Sequence, residues 1–202
     1  MTNLTLGQFQ EIFAIQKSEM NEEDKMTEMV AAVTGKSVHD VEEMPIMEFN
    51  KLSKQVVKHL SEPLPEGKPK RILAGVGITY EPTKLNRGQY ITVNHFMGKN
   101  IIENAHNILA ALSYNPKSGK HEPDKFKEIA ESFQDVAIAD VLPSCLFFCN
   151  LYGTFMKTLE SYLAAQMMMK GVPMKEAKEA MKILTTVSDG FIMQSRSQTL
   201  KT

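Results

Sequence analysis

Two cysteines and five histidines are the side chains of this 202-residue chain best able to bind a metal ion. Cys145 and Cys149 are four residues apart, so on a helix their thiols lie on one face. A structural zinc site takes four such ligands, and no other cysteine or histidine is near this pair in the sequence. Because Leu146, Phe147 and Phe148 lie between them, we expect buried, unreactive thiols and no bound cofactor.

The histidines lack the spacing of a helical metal site. They occupy positions 39, 59, 95, 106 and 121, and no two are one helical turn apart. His95 and His106 are eleven residues apart, which would align them on one helix, but Gly98 lies between them. They are either hydrogen-bonded structural side chains or, as an alternative, part of an enzyme or small-molecule site without a familiar motif.

The glycine-rich and serine-based motifs of common enzymes are incomplete or missing. Gly75 and Gly77 lack the third glycine of the dinucleotide-binding fingerprint, because Tyr80 stands at that position. Gly98-Lys99-Asn100 lacks the hydroxyl that would bind magnesium in a P-loop, and there is no Gly-x-Ser-x-Gly elbow. The sequence therefore predicts a protein that is not an enzyme, with no catalytic, cofactor-binding or metal-binding residues.

Charge and hydropathy argue against general binding to nucleic acids or membranes. The 23 Lys and Arg residues nearly balance the 24 Asp and Glu residues, for a net charge of −1. The cluster Lys68, Lys70 and Arg71 is short and follows prolines, so it is either a solvated boundary or a small basic contact. The apolar segment 136–156 contains Asp140 and other polar interruptions, so we expect a buried core helix. No signal-peptide pattern is expected at the N-terminus.

Methionine is unusually frequent, with 14 copies and no tryptophan in the chain. Methionine either fills irregular gaps in a core or forms adaptable surfaces for partners. Met167, Met168 and Met169 place methionine on most sides of one helix end, which favours contact with a neighbouring subunit. We therefore predict a partner-binding surface that consists of Met167, Met168, Met169, Phe191 and Met193.

Hydrophobic periodicity predicts a mainly α-helical protein built from one or two helical bundles. Capping patterns open the helices of an N-terminal unit, residues 1–61, and three prolines with a glycine mark a linker at 62–70. Residues 71–80 are β-branched and bounded by prolines, which predicts a short strand. The remainder of a C-terminal unit, 71–202, is helical again, with a long helix from Ile138 to Met169 and a last one over 174–187.

The two units resemble each other in sequence. Three segments recur in the same order, and the distance between paired segments is larger for the third pair than for the first. They are Leu4–Phe9 with Leu85–Tyr90, Ala31–Thr34 with Ala110–Ser113, and Glu43–Glu48 with Asp135–Asp140. Either the chain contains a duplicated helical unit or amphipathic helices resemble one another by chance. A true duplication predicts that residues 89–97 form a helix despite Ile91, Thr92 and Val93.

Three motifs carry a resemblance to known proteins: Leu-Thr-Leu-Gly-Gln-Phe at 4–9, Val-Thr-Gly-Lys-Ser at 33–37 and Met-Pro-Ile-Met-Glu-Phe at 44–49. With them the chain resembles tail-assembly chaperones of tailed bacteriophages and related structural proteins of short-tailed, crAss-like phages. The resemblance is best over residues 4–60, and the repeated segments would extend it to about residue 150. It implies no catalytic residues.

The resemblance implies a virion component or assembly protein made in the host cytoplasm, with other phage structural proteins and copies of itself as partners. Two roles follow from it. One is an oligomeric, ring-type subunit of the neck or tail, and the other is a monomeric chaperone or adaptor that binds a partner peptide. The strand-like segment 71–80 and the long helix after Ile138 are less typical of the chaperone.

Overall fold

The computed structural model describes residues 4–63 and 66–169, except for the side chains of residues 160, 164, 165 and 167–169. The first half of this part is helical. Its helices are α1 (Leu6–Lys17), α2 (Glu22–Thr34), α3 (Val38–Glu42) and α4 (Ile46–Ser61). Thr5 and Gln8 form the expected capping box of α1, and Asn21 caps α2, which ends at Gly35 in the left-handed conformation.

The second half contains four more helices and three short strands. In chain order they are β1 (Ile72–Leu73), β2 (Val76–Ile78), α5 (Arg87–Met97), α6 (Ala105–Leu112), β3 (Ser113–Tyr114), α7 (Phe126–Gln134) and α8 (Ile138–Met169). Single 3-10 turns at Pro82–Lys84 and Pro123–Lys125 lead to α5 and α7. The mainly helical class with a short β element is confirmed, and α8 begins at Ile138 as predicted and is helical as far as Met169, the last described residue. The expected helix at 174–187 lies outside the described residues.

The segment 71–80 forms a hairpin, so the prediction of one continuous strand was wrong. Ile72 pairs with Gly77 and Leu73 with Val76, in antiparallel register. Ala74 and Gly75 connect the strands with φ values of 47° and 78°, both in the left-handed region that a two-residue hairpin turn requires. β3 adds to the other edge of β2, giving the order β1-β2-β3.

Two hydrophobic clusters form the core, and each takes side chains from both halves of the chain. Ile102, Ile138 and Leu142 from the second half are buried in the cluster made mainly by α1, α2 and α4. Leu6 of α1 is buried in the cluster of the second half. The units drawn at 1–61 and 71–202 therefore share their cores across the predicted linker, while the domain boundaries themselves stay a prediction.

The helices of the two halves pack in the same pattern. α1 packs on α2, and α2 contacts α3 and α4, while α5 packs on α6, and α6 contacts α7 and α8. The Gln8 side chain donates to the carbonyl of Ala32 at 3.2 Å, and Gln89 donates to the carbonyl of Ala111 at 2.9 Å. These four residues pair with one another in the repeated sequence segments. The similarity between the halves thus extends from sequence to packing and hydrogen bonding.

Candidate assembly interface

The predicted methionine surface lies mostly beyond what the structure describes. Met167, Met168 and Met169 are in the last turn of α8, but their side chains are not among those described. Phe191 and Met193 lie outside the described residues. The structure therefore brings none of these five side chains together, and the surface stays a prediction.

The C-terminal half of α8 extends past the core that its N-terminal half helps to form. Tyr152 and Met156 are buried, and Leu159 packs partly against the second cluster. Of the described side chains from 157 to 166, none is buried, and Tyr162 is 59% exposed. This part of the helix therefore offers a surface that leads directly to the three methionines.

The segment Ile138–Leu163 is long and apolar enough to cross a membrane, and it is the one such helix in the described part of the chain. Half of its most apolar window is buried inside the protein. Ile138, Leu142 and Cys145 are all fully buried there. These residues serve as core, which agrees with the expected buried helix at this position.

The cysteine pair is buried, as the sequence predicted. Both thiols are free, and both lie in the second hydrophobic cluster. Hydrogen bonding to Cys145, together with burial, raises the pKa of the Cys149 thiol well above its ordinary value. Cys149 is therefore a protonated thiol at neutral pH, and the thiolate that nucleophilic or metal chemistry requires is disfavoured.

His95 and His106 lie on different helices, α5 and α6, so the alignment on one helix that their spacing suggested does not occur. His95 is exposed and contacts the edge of Phe96. The ring Nδ1 of His106 lies 3.0 Å from the side-chain nitrogen of Gln10 on α1. Burial lowers the pKa of His106, which favours the neutral ring that can accept this hydrogen bond.

The basic cluster near the linker contains one residue that is used structurally. The Lys70 ammonium forms an ion pair with Asp140 of α8 at 2.7 Å, and its backbone N–H donates to Ser144 at 3.0 Å. Tyr80 donates from its hydroxyl to the carbonyl of Lys70. Lys70 thus attaches the end of the linker to α8, which supports the reading of this cluster as a boundary.

The two halves of the chain contact each other through backbone hydrogen bonds at a defined junction. Around a bridge between Thr5 and Ala137, the N–H of Leu6 donates to Val136 and the N–H of Ile138 donates to Leu4, both at 2.9 Å. Just beyond this bridge, a Cβ placed on Gly7 would lie 3.2 Å from the carbonyl oxygen of Gln134. The start of α1 is therefore in close contact with the connection between α7 and α8.

Polar side chains hold the other end of this junction. The side-chain nitrogen of Gln10 donates to the carbonyls of Ile102 and Glu103 at 2.7 and 3.0 Å, in addition to its contact with His106. Lys17 forms an ion pair with Glu103 at 2.8 Å. No local sequence pattern predicts this junction, because its contacts join residues far apart in the chain.

The starts of α4 and α5 carry exposed apolar side chains. Ile46, placed by the sequence in the apolar stripe of α4, is 66% exposed, and Met47 is 80% exposed. On α5, Ile91 is 56% exposed. An open cleft of about 620 Å³ lies against the same helix, lined by Asn86, Gly88, Thr92, Ala111, His121, Pro123 and Phe126. Ile46 is exposed although its helical spacing is that of a core residue, because no element of the described chain covers it.

No protein-family model, curated protein or solved structure is significantly similar to this chain.

Proposed function

We propose that this chain is a non-enzymatic virion component or assembly protein of a tailed bacteriophage, with a role as an oligomeric, ring-type subunit of the neck or tail. The proposal places it in the virion after assembly in the host cytoplasm, in contact with other phage structural proteins and with copies of itself. It builds on the resemblance of residues 4–60 to phage assembly proteins.

The observation that carries the proposal is the exposure of large apolar side chains on two helices. Ile46 and Met47 lie on α4 and Ile91 lies on α5, and each is more than half exposed. Exposed large apolar side chains near one another favour burial against a partner. Two separate exposed apolar surfaces, one on α4 and one on α5, suit a subunit that contacts more than one neighbour.

A monomeric tail-assembly chaperone or adaptor is the second candidate. The cleft beside α5 favours it, because a groove of about 620 Å³ could accept a short peptide. A small-molecule-binding protein would use the same cleft. Of the three candidate functions, this one has the least specific support.

The solution mass of the full-length protein tests the proposal. We expect native mass spectrometry and light scattering to find a closed oligomer of defined size at micromolar concentration. A variant in which Met167, Met168 and Met169 are all changed to serine tests whether the end of α8 contributes to oligomer assembly. A strict monomer at every concentration would rule out the ring-type subunit and would favour the adaptor.

A further inference from the structure

We propose that the start of α5 in one copy binds residues 42–47 of a second copy, and so repeats between molecules the junction that joins the two halves within the chain. This inference rests on the proposed assembly function, since it names the partner as a second copy and the surface through which it binds. The contact is head-to-tail, so each copy uses a different surface toward each of its two neighbours.

The repeat defines which residues would meet. Within the chain, the start of α1 contacts the connection between α7 and α8, with Thr5 opposite Ala137. The residue of α5 that matches Thr5 is Asn86, which caps α5 as Thr5 caps α1. The residue that matches Ala137 is Pro45, which precedes α4 as Ala137 precedes α8. Asn86 of one copy would therefore lie opposite Pro45 of the next.

Backbone groups suited to this bridge are present at both surfaces. In the internal junction, the donors are the N–H groups of Leu6 and Ile138, each the first residue of its helix. Arg87 and Ile46 hold the same position in α5 and α4, where an N–H has no acceptor within its own helix. Pro45 lacks an N–H, but the bridge donors would be the N–H groups of Ile46 and of Arg87 in the other copy. A proline is therefore compatible with this position.

Space for the second copy exists where the internal junction is filled. Gly7 is in close contact with Gln134, whereas a Cβ on the matching Gly88 would meet only the Asn86 side chain, at 3.3 Å. The cleft of about 620 Å³ opens beside Gly88. The residue that matches Gln134 is Glu42, at the end of α3. The cleft is thus the unfilled counterpart of the site that Gln134 occupies at Gly7.

The side chains at the second surface are exposed where their counterparts are buried. Ile138 is fully buried against the first half, while the matching Ile46 is 66% exposed. Ala130 is buried as well, while the matching Val38 is exposed. Both halves carry apolar side chains at these positions. In the first half, no element of the described residues covers them.

Charge at the two surfaces is complementary. Glu42 and Glu43 are exposed at the end of α3 and would approach the start of α5. Exposed Arg87 and the N-terminal end of the α5 dipole both favour negative charge there. Arg87 also replaces the buried Leu6 of the internal junction, and Asn50 replaces Leu142. The contact between copies is therefore more polar than the internal one, and we expect it to be weaker and to depend on concentration and salt.

Site-directed disulfide formation tests the register directly. In the internal junction, Thr5 and Ala137 lie opposite each other, and their neighbours form the bridge hydrogen bonds. The Cα atoms of such a pair are about 4.5 Å apart, which is within the range that a disulfide can span. We expect a mixture of full-length Pro45→Cys and Asn86→Cys proteins, one of them mass-tagged, to give mainly the mixed dimer on oxidation. Pro45→Cys mixed with Ile72→Cys, a residue that is 59% exposed elsewhere, is the control. Equal yields from the two mixtures would overturn the proposed register.

Two substitutions test the surface without a new cysteine. Gly88→Ala places a methyl group where the second copy would lie, and Ile46→Asp places a charge in the expected contact. We expect each to weaken self-association about tenfold or more without lowering the helical content or the unfolding midpoint. Ile72→Asp is the matched control for an exposed isoleucine and should have no such effect.

The outcomes separate this inference from the proposed function. If the wild-type protein forms a defined oligomer whose mass and concentration dependence survive Gly88→Ala and Ile46→Asp, assembly uses another surface, and this inference is wrong while the proposed function stands. A wild-type protein that is monomeric and gives no mixed dimer contradicts both. If residues 170–202 of the same chain cover the start of α5, the mixed dimer will also be absent, which again overturns the inference.

Discussion

Gln89 donates a hydrogen bond from its side chain to the main-chain carbonyl of Ala111 at 2.9 Å, and both residues are buried. The carbonyl belongs to the last turn of α6, where carbonyl groups lack an N–H donor from the continuing helix. The same glutamine reaches back with its oxygen to the N–H of Asn86 and so completes the cap of α5. One side chain thus satisfies the start of one helix and the end of the next.

We expect Gln89→Met to lower the free energy of unfolding by about 1–3 kcal/mol, because it leaves the buried carbonyl of Ala111 without its partner. Gln8→Met is the matched control, since Gln8 makes the same two kinds of contact at a half-buried site. Its loss should be smaller, because water can reach the groups it leaves. Urea denaturation of the two variants measures the difference, and equal losses would contradict the role of burial.

Gly7 and Gly88 match in the repeat but have different surroundings, so alanine should have opposite effects at the two sites. Gly7→Ala would place a Cβ 3.2 Å from a backbone oxygen of Gln134, and we expect it to destabilise the fold. At Gly88 the nearest atom belongs to a side chain, so the higher helix propensity of alanine should raise stability by up to about 1 kcal/mol. Thermal unfolding of both variants at low protein concentration checks the signs. A stabilising Gly7→Ala would show that α7 can move away from α1 at little cost.

Gly77 faces the ring of Tyr114 on the neighbouring strand, and any Cβ at this position would overlap that ring. Gly77→Ala should therefore displace Tyr114 or separate β2 from β3, with a loss of about 1–3 kcal/mol. Gly77→Ala combined with Tyr114→Ala should recover part of this loss, because the smaller side chain removes the overlap. Unfolding free energies of the two single variants and the double variant measure the coupling. Strict additivity would show that the ring is not the cause.

The stability contribution of His106 should depend on pH. Burial lowers its pKa in the folded protein below the ordinary value of 6.5, so the unfolded chain takes up the proton first as the pH falls. The contribution is therefore fully present above about pH 6.5 and is lost as the pH falls through the folded pKa. Protonation would also remove the acceptor that faces Gln10.

The variant that isolates this effect is His106→Gln, which keeps a side chain able to accept a hydrogen bond from Gln10. We expect the wild-type protein to lose more unfolding free energy than the variant between neutral pH and pH values below the ordinary histidine pKa. Denaturation curves of the two proteins at several pH values provide the comparison. Parallel pH dependence in both would mean that other groups are responsible for the change.

Local patterns predicted the helix starts well, because the interacting residues are three apart. The boxes formed by Thr5 with Gln8 and by Ser37 with Asp40 are present as the sequence indicated. The repeat also predicted a helix at 89–97 in spite of its β-branched residues, and α5 confirms it. There the periodic burial of Val93 and Met97 outweighs the local preference for strand.

One local turn and several features that depend on distant neighbours were not predicted from the sequence. The turn at Ala74 and Gly75 divides the expected strand in two, and Gly75 before a second apolar run was the available signal. The exposure of Ile46 had no local signal, because its spacing in the helix is that of a core residue. The methionine content predicted an interface at the end of α8. The contact proposed between copies follows instead from the internal junction, in which Thr5 lies opposite Ala137.

The sequence by itself determined the helical elements, their caps and their repeated order, since short-range hydrogen bonds and hydrophobic periodicity suffice for these. The tertiary structure alone decided that Ile138 is buried and its counterpart Ile46 is exposed. The physical reason is that burial depends on which element lies opposite. The first half of the chain, with Leu4 among its residues, covers Ile138, and no described element covers Ile46.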